Sequence, residues 1–327
     1  MTLCRRALLG APLAAPAILS LPGRAQGAWP DRPVRYIVPF PPGGAADIVG
    51  RMLAAYLQGN LGKPFVVENR GGAGSSIGVD ALAKSPPDGH VIGMGNIAAN
   101  AILPAVRRGN VPYRPVDDFA PVTNLVFTPC YLAINPARVD AKTVAELVAY
   151  AKANPEKLNF GSSGTGTSLH LAMELFMQAA GIRMTHVPFN GGGPALQALL
   201  AGTVDLMVDT VATSWAQVQE GRLRALATTM PTRLAIAPDL IALEEIFPGT
   251  SMAPWHGLLF PAGVSPAIVE KASEAARSFL ALPDTQQKFF AQSLDASPSA
   301  PASFERFMRE ELAKFTVLVD RANIRVE

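Results

Sequence analysis

The chain has 327 residues, room for about two domains with sizeable cores, and a composition that is 49% hydrophobic and 17% charged excludes a solvated, disordered polymer. Lysine and arginine total 28 against 26 acidic residues, and Arg5, Arg6 and Arg24 sit in a leader that has no acid, which leaves the body at 25 against 26. That near-neutral balance excludes a basic stripe for nucleic acid.

Residues 1–27 have the three parts of an export signal: a charged start at Arg5 and Arg6, an apolar stretch from Ala7 to Leu21, and small residues at Ala25, Gly27 and Ala28. Cleavage is expected near Gly27 or Ala28. The apolar stretch is interrupted by Pro12 and Pro16 and falls short of the roughly 20 residues that span a membrane. Thr2 to Leu9 carries twin arginines and following leucines, with Gly10 where a lysine is usual, so twin-arginine export and ordinary secretion both stay open. Cys4 leaves with the leader and lies at the wrong end of the apolar run for a lipid anchor. Cys130 is then alone, which excludes an intrachain disulfide. The expectation is a soluble, monomeric periplasmic protein.

After Trp29, β-rich runs alternate with helical patterns, the mark of βαβ units and a mostly parallel sheet. Val34 to Pro39 reads as the first strand. The Gly43-Gly44 turn leads into a helix over Asp47 to Leu57 that should stop at Gly59-Asn60. Phe65 to Glu68 is a second strand, followed by the glycine-rich turn Asn69 to Ser76 and a helix that Pro86 and Pro87 end by about Lys84. Further on, Thr143 and Glu146 predict a capping box for a helix stopped by Asn154-Pro155. Phe160 closes a strand before the loop Gly161 to Thr167. From Ser168, Leu169, Ala172, Met173, Phe176 and Ala180 mark one face of a helix that Gly181 stops. Thr185 to Phe189 is a strand, Pro194 suits the first helical position after Gly191-Gly192-Gly193, and Gly202 ends that helix. Val204 to Asp209 and Leu223 to Thr229 read as buried strands.

No repeat of 20 to 50 residues is evident, which argues against a solenoid. The pattern predicts two α/β lobes, 28–127 plus 255–327 and 128–254, joined at Phe127-Thr128-Pro129 and at the Pro254 to Pro261 stretch. Two crossings make a hinge suited to closing on a small ligand.

Four loops between strand and helix are rich in Gly, Ser or Thr. In open α/β sheets ligands bind outside the carboxyl ends of strands, where such loops cluster. Small residues bare the backbone N–H groups, and a helix N-terminus adds partial positive charge, which suits a carboxylate without any lysine. The first loop offers Gly43, Gly44, Ala45 and Asp47. Asp47 is read equally as a cap that fixes the loop and as a direct contact, because a bare carboxylate repels an anion. The second offers Gly74 and Ser75. The third offers Ser162, Ser163, Gly164, Thr165 and Thr167, and the fourth Phe189, Asn190 and Gly191.

Six segments carry a resemblance to a known family: Trp29 to Arg51, Val66 to Gly78, Pro86 to Gly93, Phe160 to Phe176, His186 to Met207, and Gly257 to Lys271. Across the whole mature chain the sequence resembles the solute receptors of tripartite tricarboxylate transporters, the Bug family. The resemblance implies a two-lobed periplasmic-binding-protein fold of the Venus-flytrap type 2 class. It also implies capture of a small organic carboxylate between the lobes and delivery to membrane subunits, with no cofactor and no metal. By position it implicates Phe40, Gly43, Gly44 and Asp47 on one side and Ser162, Ser163, Thr165, Thr167 and His170 on the other; Asn96 and Asp209 complete the candidate set. Where the family commonly reads Tyr-Lys-Gly, this chain has Phe189-Asn190-Gly191, which removes a hydroxyl and a positive charge and makes a second acidic group on the ligand less welcome.

Enzyme readings fare worse. From Gly161 the chain reads Gly-Ser-Ser-Gly-Thr, which misses the Gly-x-Ser-x-Gly nucleophile elbow. Ser163, His170 and Asp209 could still assemble a triad, because triads are defined by geometry. This keeps an exported α/β hydrolase as an alternative, beside a ligand-sensing accessory protein. His170 also reads as a helix-surface or satisfied histidine that hydrogen-bonds the loop before it. Gly72 to Ile77 places the third glycine of a dinucleotide fingerprint one residue late, and no P-loop run exists. The four histidines are scattered, with only His170 and Glu174 at helical spacing, which is poor metal-ligand chemistry. Cys130 reads as a buried thiol.

Overall fold

The computed structural model describes residues 29–40, 42–189 and 192–322. The leader with its cleavage position, Cys4, Asn190 and Gly191 lie outside the described residues.

The chain begins with β1 (Val34–Val38), α1 (Ala45–Leu61), β2 (Phe65–Asn69), α2 (Ser76–Ala83), β3 (Val91–Asn96), a short α3 (Leu103–Val106) and β4 (Phe119–Phe127). Helix α1 runs through Gly59-Asn60, where the sequence predicts its end. A glycine inside a helix costs only about 1 kcal/mol, whereas a stop needs a residue in the left-handed region. Gly62 supplies it, at φ 76°, with its N–H bonded to the Gln58 carbonyl.

The middle of the chain forms β5 (Cys130–Ile134), α4 (Val144–Ala153), β6 (Asn159–Ser162), α5 (Ser168–Ala180), β7 (Thr185–Pro188), α6 (Gly192–Leu200), β8 (Leu206–Thr210), α7 (Val211–Gln219), β9 (Arg224–Thr228) and α8 (Leu243–Ile246). Thr143 caps α4 by accepting from the Glu146 N–H at 3.2 Å. The Glu146 carboxylate takes the Lys142 N–H at 2.7 Å instead of that of Thr143, so the box closes one residue early. Pro194 is the third residue of α6, not the first, because Gly192 and Gly193 already take helical geometry.

The chain then returns through β10 (Trp255–Pro261), α9 (Pro266–Ala281), α10 (Pro283–Ala291), β11 (Asp295–Ala296) and α11 (Pro301–Ala322). One sheet has the order β11-β4-β10-β3-β1-β2 and the other β7-β6-β8-β5-β9. The expectation of mostly parallel sheets is corrected here: both are mixed. In the first, β10 runs antiparallel to β3 and β4, and β11 antiparallel to β4. In the second, β5 runs antiparallel to β8 and β9.

The cause is the way the chain crosses. It leaves β4 at Phe127 and starts β5 at Cys130, three Cα steps and about 11 Å at most. A strand entered that soon comes in at the edge where its parallel neighbours end, so it must run against them. The return crossing does the same for β10, whose first residue Trp255 lies opposite Phe127, the last of β4. Between the crossings, the Thr128 N–H bonds the Pro254 carbonyl at 2.7 Å.

Apolar residues line both faces of each sheet. One cluster lies under α1 and α9 and includes Val49, Leu53, Met94, Leu258 and Phe279; another lies under α6 and α7, with Tyr131, Met207 and Leu199. A third is continuous between the sheets through α11, joining Trp255, Phe304 and Phe315 to Phe160 and Phe176. Helix α11 packs against α3, β4 and α5, and the Gln178 side chain donates to the Leu318 carbonyl at 3.4 Å.

Gly257 sets how close α11 sits to β10. A Cβ there would stand 2.0 Å from Cζ of the fully buried Phe304 and within 3.0 Å of two more atoms of its ring. Gly257→Ala is expected to lower stability by about 1–3 kcal/mol through overpacking, measured as a fall in the urea midpoint.

Candidate ligand-binding site

The crossings place the candidate loops. In the first sheet β1, β2, β3 and β4 run in one direction, and in the second β6, β7, β8 and β9 do. Cys130 at the start of β5 lies opposite Thr210 at the end of β8. The carboxyl ends of both parallel sets are therefore at the crossings, and with them the loops that follow β1, β2 and β3 and those that follow β6, β7 and β8.

The first loop carries Phe40, Gly43 and Gly44 into α1, with Ala45 as its first residue. Gly44 takes extended backbone (φ −83°, ψ 173°) and no side chain caps the helix, so the first-turn N–H groups are without intrahelical partners. A Cβ on either Gly43 or Gly44 would meet nothing within 4 Å. Asp47 holds this loop from below. Its Oδ2 accepts from the Gly43 N–H and from Arg51 Nε, both at 2.9 Å, and its Oδ1 from Asn69 Nδ2 at 2.9 Å. Asn69 also donates to the Phe40 carbonyl at 3.0 Å. Arg51 first, with Gly43 and Asn69, holds the Asp47 carboxyl down at about 2 against burial. Of the two roles left open for Asp47, the structure supplies the partners of the loop-fixing one.

The second loop is strained. Ala73 and Ser75 have φ of 47° and 72° on either side of Gly74, a region L-residues seldom occupy and one that clusters at ligand sites. The Ser75 hydroxyl bonds the Gly74 carbonyl and Asn96 Oδ1, which ties this turn to the carboxyl end of β3.

The third loop is clasped from within. Ser162 is fully buried; its hydroxyl pairs with His186 Nε2 at 2.7 Å and takes the Gly164 N–H at 3.2 Å. Ser163 donates to Thr167 Oγ1 at 3.1 Å, and Thr167 donates to the Gly164 carbonyl at 2.8 Å and caps α5. Thr165 alone of this group is exposed. His170 is buried, its Nδ1 accepting from the Gly166 N–H at 3.0 Å, which leaves Nε2 as the protonated nitrogen, 3.4 Å from Glu174. His170 stacks on His186 at 3.9 Å and 12°, and His186 on Phe160 at 4.8 Å. Burial first, then His170, holds His186 down at about 4. Phe189 is half-buried, and its N–H bonds the Ser162 carbonyl at 3.0 Å.

The triad reading is corrected by this geometry. Ser163 bonds Thr167, His170 bonds the Gly166 N–H and faces Glu174, and Asp209 accepts from the Thr210 N–H, at 2.8 Å. No relay links the three. Asp209 is 1% exposed at the end of β8, directly across from Tyr131, and its Oδ2 has no partner. Burial raises its carboxyl to about 6. Cys130 is a buried thiol whose pKa burial pushes up.

The residue that the sequence reading passed over is His256. It lies opposite Asn96 in the β3–β10 ladder, and the Phe40 ring meets it edge-on at 5.3 Å. Burial holds it down at about 4. Its only sequence signal is that it follows Trp255 at a predicted crossing.

The sequence model of the tripartite tricarboxylate transporter family receptor matches residues 49–324. Protein BugT of Bordetella pertussis is 32% identical over 292 residues, which cover 89% of each chain. R. palustris Rpa4515, solved with adipate, is 30% identical with a TM-score of 0.73, covering 91% of this chain and 99% of its own. MatC (Rpa3494) from Rhodopseudomonas palustris, solved with bound malate, is 30% identical with a TM-score of 0.69, covering 89% of this chain and all of its own. The fold is that of these two-lobed periplasmic binding proteins.

Asp209 gives the site a pH signature. Its folded pKa is about 6 against roughly 3.9 unfolded, so the folded state binds the extra proton between these values. The stability linked to that proton is full below pH 4 and is lost as pH rises through 6, at most about 3 kcal/mol. His186 and His256, both held down at about 4, give the opposite slope in the same window, so only a difference isolates the carboxyl. Asp209→Asn is expected to gain on the parent chain in melting temperature between pH 4.5 and 7.5; parallel curves would show that Asp209 does not titrate there.

Proposed function

The chain belongs to the tripartite tricarboxylate transporter receptor family, and we propose that it is exported to the periplasm, where as a monomer it closes two lobes on a small organic carboxylate and delivers it to membrane subunits. The lobes of this reading are 28–127 plus 255–327 and 128–254, turning about Thr128-Pro129 and Pro254. The leader over residues 1–27 supports export.

The observation that carries the reading is the convergence of carboxyl ends on the crossings, with the uncapped N-terminus of α1 on one side and the clasped loop before α5 on the other. On the first side, bare N–H groups and the helix dipole offer positive potential without a lysine. Three or four charge-assisted hydrogen bonds at about 1.5–3 kcal/mol each are of the order of the roughly 8 kcal/mol of micromolar binding, before ordering costs. The two R. palustris relatives were solved with adipate and malate, both organic carboxylates, which supports the same class of ligand here. Transport, rather than catalysis, agrees with a family of receptors.

A thermal-shift screen of organic acids tests this: a ligand at 100 times its dissociation constant stabilises by about 2.7 kcal/mol, and a panel of mono- and dicarboxylates without any shift would overturn it. Gly44→Val is expected to abolish the shift and keep the fold, since the added side chain enters open space at an ordinary φ and occupies the anion's place. The circular dichroism spectrum and the melting temperature of the variant check the fold.

A further inference from the structure

Asn96 and His256, at the carboxyl edge of the first sheet, each have a buried hydrogen-bonding atom without a partner among the described residues. Asn96 is 1% exposed. Its Oδ1 accepts from Ser75 Oγ and from the Ala99 N–H, both at 3.0 Å. A backbone N–H only donates, so this fixes which end of the amide is oxygen. Nδ2 is then held pointing elsewhere, buried and without a partner. His256 is its direct cross-strand neighbour, so the two side chains leave the same face with Cβ atoms roughly 4.5–5.5 Å apart. His256 Nδ1 is likewise buried and without a partner.

The surroundings place this pair on the ligand side. Two residues inward on the same face, Met94 lies opposite Leu258, and both belong to the core under α1. The face thus changes from apolar to polar as it reaches the edge where the loops open. There the ring of Phe40, from the loop that leads to Gly43 and Gly44, packs against His256. Unpaired polar atoms at such a depth are costly unless a partner meets them.

We propose that Asn96 and His256 form a subsite for a hydroxyl group carried by the carboxylate ligand, so that the protein distinguishes hydroxycarboxylates from their deoxy counterparts. This rests on the receptor reading above. A hydroxyl has one proton and two lone pairs. It accepts from Asn96 Nδ2 and donates to a neutral His256 Nδ1; with the other imidazole tautomer it accepts from both. A methylene in the same place leaves both atoms unpaired, the situation in which polar sites discriminate most strongly.

Titration calorimetry on the full mature chain tests this with L-malate against succinate and L-lactate against propionate. In each pair the hydroxy acid is expected to bind about tenfold tighter or more. His256→Phe keeps a ring against Phe40 and removes the nitrogen, and it is expected to reduce that ratio to less than about twofold. Asn96→Ala is expected to do the same, with its melting temperature as the control for the lost Ala99 contact. A ratio that survives in folded His256→Phe, or a parent chain that binds both members of a pair equally, overturns the subsite while the receptor reading stands. A parent chain that binds none of the four, nor any acid in the wider panel, overturns the receptor reading and the subsite with it.

Discussion

A strand entered within three residues of leaving another sheet must start at that sheet's near edge, and this constraint organises the molecule. Because β4 passes to β5 through Thr128 and Pro129 alone, β5 runs against β8 and β9; because the return enters at Trp255, β10 runs against β3 and β4. The carboxyl ends of the parallel strands in both sheets are thereby placed at the crossings. Short crossings and mixed sheets are one fact seen twice.

Loops at these strand ends face conflicting requirements. Binding of a ligand as proposed calls for bare backbone N–H groups and hence small residues, while holding a loop's shape is what small residues do poorly. The polar clasps resolve the conflict from behind: Asp47 with Arg51 and Asn69 under the first loop, and Thr167, Ser162 and the stacked Phe160, His186 and His170 under the third. Several polar residues that read as ligand contacts in the sequence also have partners within these loops. A preorganised loop loses less freedom on binding, so more of each hydrogen bond appears as affinity.

Much of this was legible locally. Helix α5 follows from Thr167 at its N-cap, Gly181 in the left-handed region and one apolar face between them, all signals carried within the segment. The glycine loops were legible for the same reason. Strands β3 and β4 were not read from residues 88–126: they are buried on both faces, so no alternation marks them, and Pro121 and the glycines Gly93 and Gly95 look like turns. His256 has no motif. What gives it meaning is its register opposite Asn96, set by a strand about 160 residues away in the chain.

The sequence by itself determined the α/β class, the two-lobe plan, several helix boundaries and the family, because caps, breakers and periodic burial are properties of short stretches and the motifs are contiguous. Only the tertiary structure decided strand direction, which strand ends lie at the crossings, what Asp47 bonds beneath its loop, and which polar atoms are left unpaired among the described residues. Those depend on which distant segments become neighbours, and backbone hydrogen bonding is blind to side-chain identity, so no local pattern encodes them.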